Sequence, residues 1–207
     1  MTDNPAANCT DCRLGTIEVS CPRRAKDGSV CRLCKGTGRR LHRRQVVWGD
    51  GTVPCKIMFI GEAPGYQEDL MGQPFYPEAP AGRVLRRTIA DAGLPANQVY
   101  ITNLVRCRPP DNKLSAYPDA IVACSRWLDE EIRRATPSVI VALGALPAER
   151  YFGKRPAREV AGLARAMPDG TVVVGAYHPA YVARGVDEEA GPSLRRSVER
   201  AKRMSRA

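Results

Sequence analysis

The stretch "KIMFIGEAPGYQEDLMGQPF", residues 56–75, decides the fold of this chain. Its first residue, Lys56, is followed by four successive apolar residues, 57–60. So short an apolar run before a turn is typical of a buried strand. The glycine-rich loop that follows, residues 61–65, carries the carboxylate of Glu62, and Glu68 and Phe75 come soon after it. A buried strand that ends in a flexible turn, two acids and an aromatic ring indicates a binding site at the carboxyl end of that strand.

Outward from this stretch, apolar strands alternate with amphipathic helices. Three further strands are predicted, at residues 99–103, 138–143 and 171–174. Helices are predicted between strands, one over residues 81–92 and one that begins at Pro118, because apolar residues recur there at helical spacing. Strands joined through helices require crossover connections. We therefore predict a three-layer α/β/α fold around a central, mainly parallel four-stranded sheet, preceded by a Cys-rich N-terminal segment.

Three of the four predicted strands end in a side chain with chemical function. Glu62 follows the first strand, Asn103 ends the second and His178 follows the fourth. The third strand ends in Leu-Gly-Ala, residues 143–145, for which we expect a packing role. Ligands of parallel sheets bind beyond the carboxyl ends of the strands, so this shared location favours one site over three separate structural roles.

The composition is that of a globular protein with excess positive charge. A hydrophobic fraction of 43% argues against wholesale disorder. No apolar stretch approaches the ~18 residues of a membrane span, and no secretory signal is visible. We expect a cytoplasmic monomer with no membrane contact. The 32 Lys and Arg residues exceed the 22 Asp and Glu residues, and the resulting charge of +10 favours a nucleic-acid partner.

The eight cysteines favour a metal site, because a cytosolic chain uses C-x-x-C pairs for metals sooner than for disulfides. Residues 1–45 have little apolar periodicity, so we predict a Cys-rich metal-binding segment there and an α/β domain over residues 46–207. Two pairs of cysteines have the C-x-x-C spacing. These are Cys9 with Cys12 and Cys31 with Cys34, and the remaining cysteines are Cys21, Cys55, Cys107 and Cys124.

Five motifs occur in the order found in family 4 uracil-DNA glycosylases. They are "GEAPGYQEDLMGQPF" from residue 61, "VYITNLVRCRPPDNK" from residue 99, the helix with Cys124, "VIVALGA" from residue 139 and "YHPAYVAR" from residue 177. Over residues 46–185 the chain resembles this iron–sulfur branch of the uracil-DNA glycosylase superfamily. The resemblance implies a DNA repair enzyme that acts on DNA containing uracil, hydrolyses the N-glycosidic bond and leaves an abasic site.

The resemblance also implies which residues catalyse the reaction. Glu62 takes the position where better-known members carry an aspartate, and its carboxylate would stabilise the sugar cation or orient the attacking water. Glu68 is a second acid near the pocket. His178 would donate a hydrogen bond to uracil O2, where negative charge accumulates as the bond breaks.

Substrate binding is implied for five other residues. Phe75 would stack on the uracil ring. The amide of Asn103 would accept from uracil N3–H and donate to O4, a pattern that cytosine reverses. Backbone N–H groups of the loop would approach the base, since glycine permits unusual dihedral angles and has no side chain. The loop residues concerned are Gly61, Ala63 and Gly65.

Family 4 members hold a 4Fe-4S cluster with an early C-x-x-C pair and two later cysteines. The resemblance therefore implies Cys107 and Cys124 as two ligands, and four thiolates suit such a cluster. The other two ligands stay open at this point. The sequence around Cys9 and Cys12 matches the motif of the family better. The pair Cys31–Cys34, however, lies at nearly the expected number of residues before "VVWGDG".

Zinc is an alternative or additional metal. The two C-x-x-C pairs together resemble a four-thiolate zinc ribbon. A third partition assigns the first pair to the cluster and groups Cys21, Cys31 and Cys34 with His42 around zinc.

Two other functions compete with uracil excision. The link after Phe75, residues 76–80, is longer than is usual in the family, which would permit a glycosylase for another deaminated base such as hypoxanthine. A basic member of the superfamily could also serve as a DNA-binding or damage-recognition module without turnover.

Overall fold

The computed structural model of the protein describes residues 9–20, 37 and 39–205. Cys21, Cys31 and Cys34 lie outside these residues. The zinc ribbon and the site with His42 therefore stay predictions.

Strands and α-helices alternate along most of the described chain. The strands are β1 (Glu18–Ser20), β2 (Arg39–Leu41), β3 (Asp50–Gly51), β4 (Ile57–Gly61), β5 (Val99–Asn103), β6 (Val139–Leu143), β7 (Ala164–Ala166) and β8 (Val172–Ala176). The helices are α1 (Arg13–Thr16), α2 (Tyr66–Met71), α3 (Pro80–Asp91), α4 (Pro118–Ala135), α5 (Ala145–Phe152), α6 (Ala157–Val160), α7 (Pro179–Ala183) and α8 (Ala190–Met204). Short 3₁₀ turns cover Ala96–Gln98, Pro110–Asn112 and Leu114–Ala116.

The central sheet has the strand order β3-β5-β4-β6-β8-β7. Its four inner strands are parallel, and β3 and β7 pair antiparallel at the two edges. The predicted α/β class and the parallel direction of the four apolar strands are confirmed, but the sheet has six strands. The two edge strands escaped prediction because they are only two and three residues long and have no apolar alternation.

Helices cover both faces of the sheet because successive residues of β4 point to opposite sides. Met58 and Ile60 belong to the core beneath α4 and α5, whereas Ile57 and Phe59 belong to the core beneath α3 and α8. These four side chains have no exposed surface. The result is the predicted three-layer arrangement. None of the helices in the described ranges is long and apolar enough to cross a membrane.

The described part of the N-terminal segment packs on the α4 face of the sheet. Leu14 of α1 is buried in the same core as Cys107 and Cys124. Arg13 forms a 2.8 Å ion pair with Asp119 in the first turn of α4. Strands β1 and β2 form a separate antiparallel pair beyond α1.

A buried ion pair joins α4 to the loop after β5. Arg106 is 1% exposed and Glu131 is 2% exposed, and the guanidinium donates to the Glu131 carboxylate. The same carboxylate accepts from the Thr102 hydroxyl at 2.6 Å, the Tyr100 hydroxyl at 3.1 Å and the Gly49 N–H at 2.8 Å. Four donors around one carboxylate compensate the cost of removing its charge from water.

Glu131→Ala is therefore expected to lower the free energy of unfolding by about 3–5 kcal/mol, because it leaves the Arg106 charge buried without its partner. Denaturant unfolding followed by circular dichroism measures the change. Glu130→Ala is the matched control. Glu130 is paired with the exposed Arg133 on the outer side of α4, and loss of such a pair changes stability by about 0–1 kcal/mol. Equal effects of the two substitutions would contradict the role given to the buried pair.

Candidate active site

A cavity of about 590 Å³ opens at the carboxyl ends of the four parallel strands. Loops after β4, β5, β6 and β8 all contribute to its wall, as the topology of a parallel sheet requires. Seven residues with predicted site roles line this one cavity. They are Glu62, Ala63, Gly65, Glu68, Phe75, Asn103 and His178.

Gly61 lies behind the cavity wall. A Cβ atom at this position would come within 2.4 Å of Asn103 Oδ1 and 2.6 Å of the Phe75 ring. Both contacts are shorter than real Cβ atoms show. The glycine is thus required by space, since it lets the amide and the aromatic ring approach the end of β4.

Phe75 has an unusual backbone conformation. Its φ angle of +47° lies in the left-handed region, which residues other than glycine rarely adopt. Arg86 of α3 donates to the Phe75 carbonyl at 3.0 Å. A Cβ on Gly82 would lie 2.6 Å from that carbonyl, so the start of α3 packs directly on it. The ring centroid is 5.7 Å from that of His178, with a tilt of 34°.

Asn103 is fixed by the buried ion pair. Its side chain is at the end of β5 and is 3% exposed. The guanidinium of Arg106 donates to the Asn103 carbonyl as well as to Glu131. Sequence reasoning missed both charged residues. A signal was present, since Glu131 follows Cys124 and Leu128 at helical spacing on the buried face of α4.

The imidazole of His178 is neutral at physiological pH. Burial, with a further contribution from the positive charge of Arg184, lowers the pKa of His178 to about 4. The backbone N–H of Ala180 donates to Nδ1 at 3.1 Å. Because Nδ1 accepts this bond, the single ring proton is on Nε2, which is left to donate to a ligand.

Two carboxylates that line the cavity come from the chain that follows β4. Glu62 lies in the loop, and Glu68 lies in α2. Burial raises the pKa of Glu62 above its ordinary value. Glu68 is 8% exposed, and a Cβ on Gly65 would lie 2.7 Å from its Oε2. Within the described residues neither acid has an ion-pair partner within 4 Å. Their charge is therefore available to a bound ligand.

The packing role predicted for residues 143–145 is wrong in part. Gly144, Ala145 and Leu146 line the cavity. Gly144 has a φ of +98°, and a Cβ there would lie 3.1 Å from the Cβ of His178. The loop after β6 therefore needs a small residue where it passes the imidazole.

The outer wall of the cavity contains aromatic and basic residues, and of these the sequence had suggested only Arg184, as a phosphate contact. Tyr177 and Tyr181 stack with ring centroids 5.7 Å apart and an angle of 16°. The guanidinium of Arg184 lies 5.6 Å from the Tyr181 ring centre. Arg158 and Asn112 also line this wall. The motif "YHPAYVAR" carries three of these residues, so their proximity to His178 was the available signal.

Four cysteines from three chain segments are neighbours on the α4 side. Cys107 and Cys124 are each 3% exposed, and Cys9 and Cys12 pack against the core that contains them. Burial, with smaller contributions from the other three thiols, raises the pKa of Cys107 to about 12. The guanidinium of Arg43 opposes this shift and donates to the Cys9 carbonyl at 2.8 Å.

Across residues 9–20, 37 and 39–205, no three Cys, His, Asp or Glu side chains converge at metal-ligand distances. The four neighbouring thiols nevertheless have the chemistry of an iron–sulfur ligand set. Cys55 is buried at the entrance to β4, as predicted for a small core side chain, and burial raises its pKa to about 12.

Comparison with known proteins gives consistent matches. The family model described as the uracil DNA glycosylase superfamily matches residues 48–202. A type-4 uracil-DNA glycosylase of Thermotoga maritima is 34% identical over 82% of this chain and 88% of its own length. One from Saccharolobus solfataricus is 43% identical over 60% of this chain and 55% of its own length. A type-5 uracil-DNA glycosylase of Thermus thermophilus is 31% identical over 72% of this chain and 82% of its own length.

The neutral state of His178 can be measured by NMR. The chain has two histidines, so the signals of His178 and His42 are separated by a single substitution, His42→Gln. We expect His178 to carry its proton on Nε2 and to titrate near pH 4. Between pH 6.5 and pH 4 the unfolded chain binds a proton that the folded site does not, so this group lowers stability as the pH falls through that window. A His178 that titrates at its ordinary pKa of about 6.5 would contradict this account.

Proposed function

Since this chain belongs to the type-4 uracil-DNA glycosylases of the uracil DNA glycosylase superfamily, we propose that it removes uracil from DNA by hydrolysing the N-glycosidic bond. The product is an abasic site. The observation that carries the proposal is the meeting of an acid, an aromatic ring, an amide and a neutral imidazole in one cavity, namely Glu62, Phe75, Asn103 and His178.

Uracil is recognised by stacking and by one amide. Enzymes of this kind take the target base out of the DNA stack, and a base in the cavity meets the face of Phe75. The Asn103 amide accepts from N3–H and donates to O4. Arg106 holds the backbone of Asn103, so the amide is oriented before the substrate binds. Cytosine would place a donor against a donor and is rejected.

Bond cleavage separates charge, and the site stabilises both halves. The sugar becomes oxocarbenium-like, and the nearby carboxylate of Glu62 stabilises it or orients the attacking water. The departing uracil accumulates negative charge on O2, to which Nε2–H of His178 donates. The neutral imidazole can make this bond because its one ring proton is on Nε2. Glu68 adds a second negative charge at the edge of the cavity.

We propose that Cys9, Cys12, Cys107 and Cys124 hold a 4Fe-4S cluster. The proximity of all four thiols favours the pair Cys9 and Cys12 over Cys31–Cys34. Bound there, the cluster would have a structural role, and none of these four cysteines lines the cavity. It would cross-link α1, the loop after β5 and α4, and so secure the segment that carries Arg106.

Uracil release tests the proposal directly. Wild-type protein is incubated with labelled single-stranded and duplex oligonucleotides that contain one uracil, and alkali then cleaves abasic sites. We expect cleavage at uracil and none at thymine or cytosine. Glu62→Ala should lower kcat by about 100-fold or more, and His178→Ala by about 10²–10³-fold. Glu149→Ala, an exposed acid on α5, is the matched control and should leave kcat unchanged.

The same assay separates the competing functions. Release of hypoxanthine in preference to uracil would assign a different deaminated base. Retained DNA binding without any base release from metal-replete protein would indicate a binding module.

The pH dependence of uracil release tests the role of Glu62. Because burial raises the pKa of Glu62, acidification should lower the rate of uracil release at a higher pH than it would for an exposed glutamate.

The cysteine assignment is tested by metal content. Cys9→Ser and Cys107→Ser should each lose iron and acid-labile sulfide, measured by colorimetric assay on anaerobically purified protein. Cys55→Ser, a buried thiol outside the group, is the control and should retain both. Loss of iron from Cys31→Ser, with retention in Cys9→Ser, would transfer the assignment to the other pair. Zinc content of the same samples tests the alternative metal.

A further inference from the structure

Two arginines share one exposed aromatic ring beside the cavity. The guanidinium carbon of Arg44 lies 5.4 Å from the ring centre of Tyr66, and that of Arg108 lies 5.3 Å from it. Arg44 also donates to the Tyr66 hydroxyl at 3.4 Å. The ring is 50% exposed, so the group formed by these three residues faces solvent. We call it the Tyr66 clamp.

The two positive charges of the clamp are not neutralised. In the part of the chain that the structure describes, neither arginine has a carboxylate within 4 Å. Some other arginines of the surface are paired, as Arg133 is with Glu130. Two like charges held at one ring repel each other, and an anion bound between or beside them would offset that repulsion. The clamp therefore has the electrostatics of an anion site.

Both arginines are anchored on the side that faces the protein. The Arg108 Nε donates to Asn112 Oδ1 at 3.0 Å, and Asn112 has a left-handed φ of +55°. The backbone N–H of Arg44 donates to the buried carboxylate of Asp69 on α2 at 2.8 Å. These contacts leave the terminal nitrogens of Arg108 available to a ligand and restrict where they can reach.

The clamp shares a wall with the cavity. Asn112, which anchors Arg108, lines the cavity, and so does Gly65, the residue directly before Tyr66. The clamp is therefore adjacent to the cavity, where the backbone of a strand whose base enters the cavity can reach it.

We propose that Arg44, Tyr66 and Arg108 bind one backbone phosphate of DNA next to the nucleotide whose base enters the cavity. Guanidinium groups bind phosphate oxygens with paired N–H donors, and the aromatic ring orients them without competing charge. The choice of nucleotide rests on the proposed function, but binding of the phosphate does not require base release.

The first measurement is the salt dependence of DNA binding, followed by fluorescence anisotropy. The oligonucleotide carries 2′-fluoro-deoxyuridine, whose fluorine disfavours the sugar cation and slows cleavage. The double variant Arg44→Ala/Arg108→Ala should reduce the magnitude of the slope of log Kd against log salt by roughly 0.7, the value for one phosphate contact to a single strand, and Arg44→Ala and Arg108→Ala alone should each reduce it by part of this amount. Arg133→Ala removes an exposed, paired arginine and should leave the slope unchanged.

The second measurement locates the phosphate. Single phosphates around the uracil are replaced by neutral methylphosphonates. At one position the replacement should weaken wild-type binding roughly tenfold, and at that position it should have no further effect in Arg44→Ala/Arg108→Ala. If every replacement weakens the double variant as much as the wild type, the proposal is overturned.

The role of the ring is tested with variants that remove no charge. Tyr66→Ala should weaken binding several-fold in the wild-type background and not in the double arginine variant, while Tyr66→Phe should retain most of the affinity. Equal losses from Tyr66→Ala in both backgrounds would overturn the clamp.

The outcomes for the clamp and for the enzyme are distinguishable. Uracil release with unchanged salt slopes in both arginine variants would reject the clamp alone. Reduced slopes in a protein that releases no uracil would reject the proposed function and keep the phosphate site.

Discussion

The buried pair of Arg106 and Glu131 is the interaction on which the rest of the site depends. A charge pair so far from water depends on further hydrogen bonds, and here hydroxyl and backbone donors complete the carboxylate, while Nε of Arg106 has no hydrogen-bond partner among the described residues. Such a network permits one arrangement of α4, β5 and the following loop. Since Arg106 also holds the Asn103 carbonyl, that arrangement sets the position of the amide that we propose to read the base.

The same loop after β5 links three functions. Within five residues it carries Asn103 at the cavity, Arg106 in the core and Cys107 among the four thiols, and Arg108 then turns outward to the Tyr66 ring. A change at any of these points displaces the others, because the chain between them is too short to absorb it. The proposed cluster, base recognition and phosphate contact would therefore be mechanically coupled.

Exclusion of water explains the shifted pKa values of the two groups that we propose to be catalytic. Burial keeps His178 neutral and raises the pKa of Glu62 by the same physical cause, which disfavours the charged form of each. In such surroundings a carboxylate and an N–H donor act more strongly on charges that develop during the reaction than they would in water. His178 therefore lowers stability as the pH falls below its ordinary pKa, whereas Glu62, whose pKa is raised, lowers stability as the pH rises above the ordinary pKa of a glutamate.

The sequence by itself determined the parallel order of four apolar strands and the placement of Glu62, Asn103 and His178 at their ends, because strand periodicity and crossover topology are local consequences of residue type. It did not determine the short edge strands, the cavity-lining role of Gly144, or the proximity of Cys9 and Cys12 to Cys107. It also did not predict the pair of Arg106 with Glu131 or the two arginines on Tyr66. Each of these joins residues far apart along the chain, so its energy exists only after tertiary packing has brought the partners together and removed the water between them.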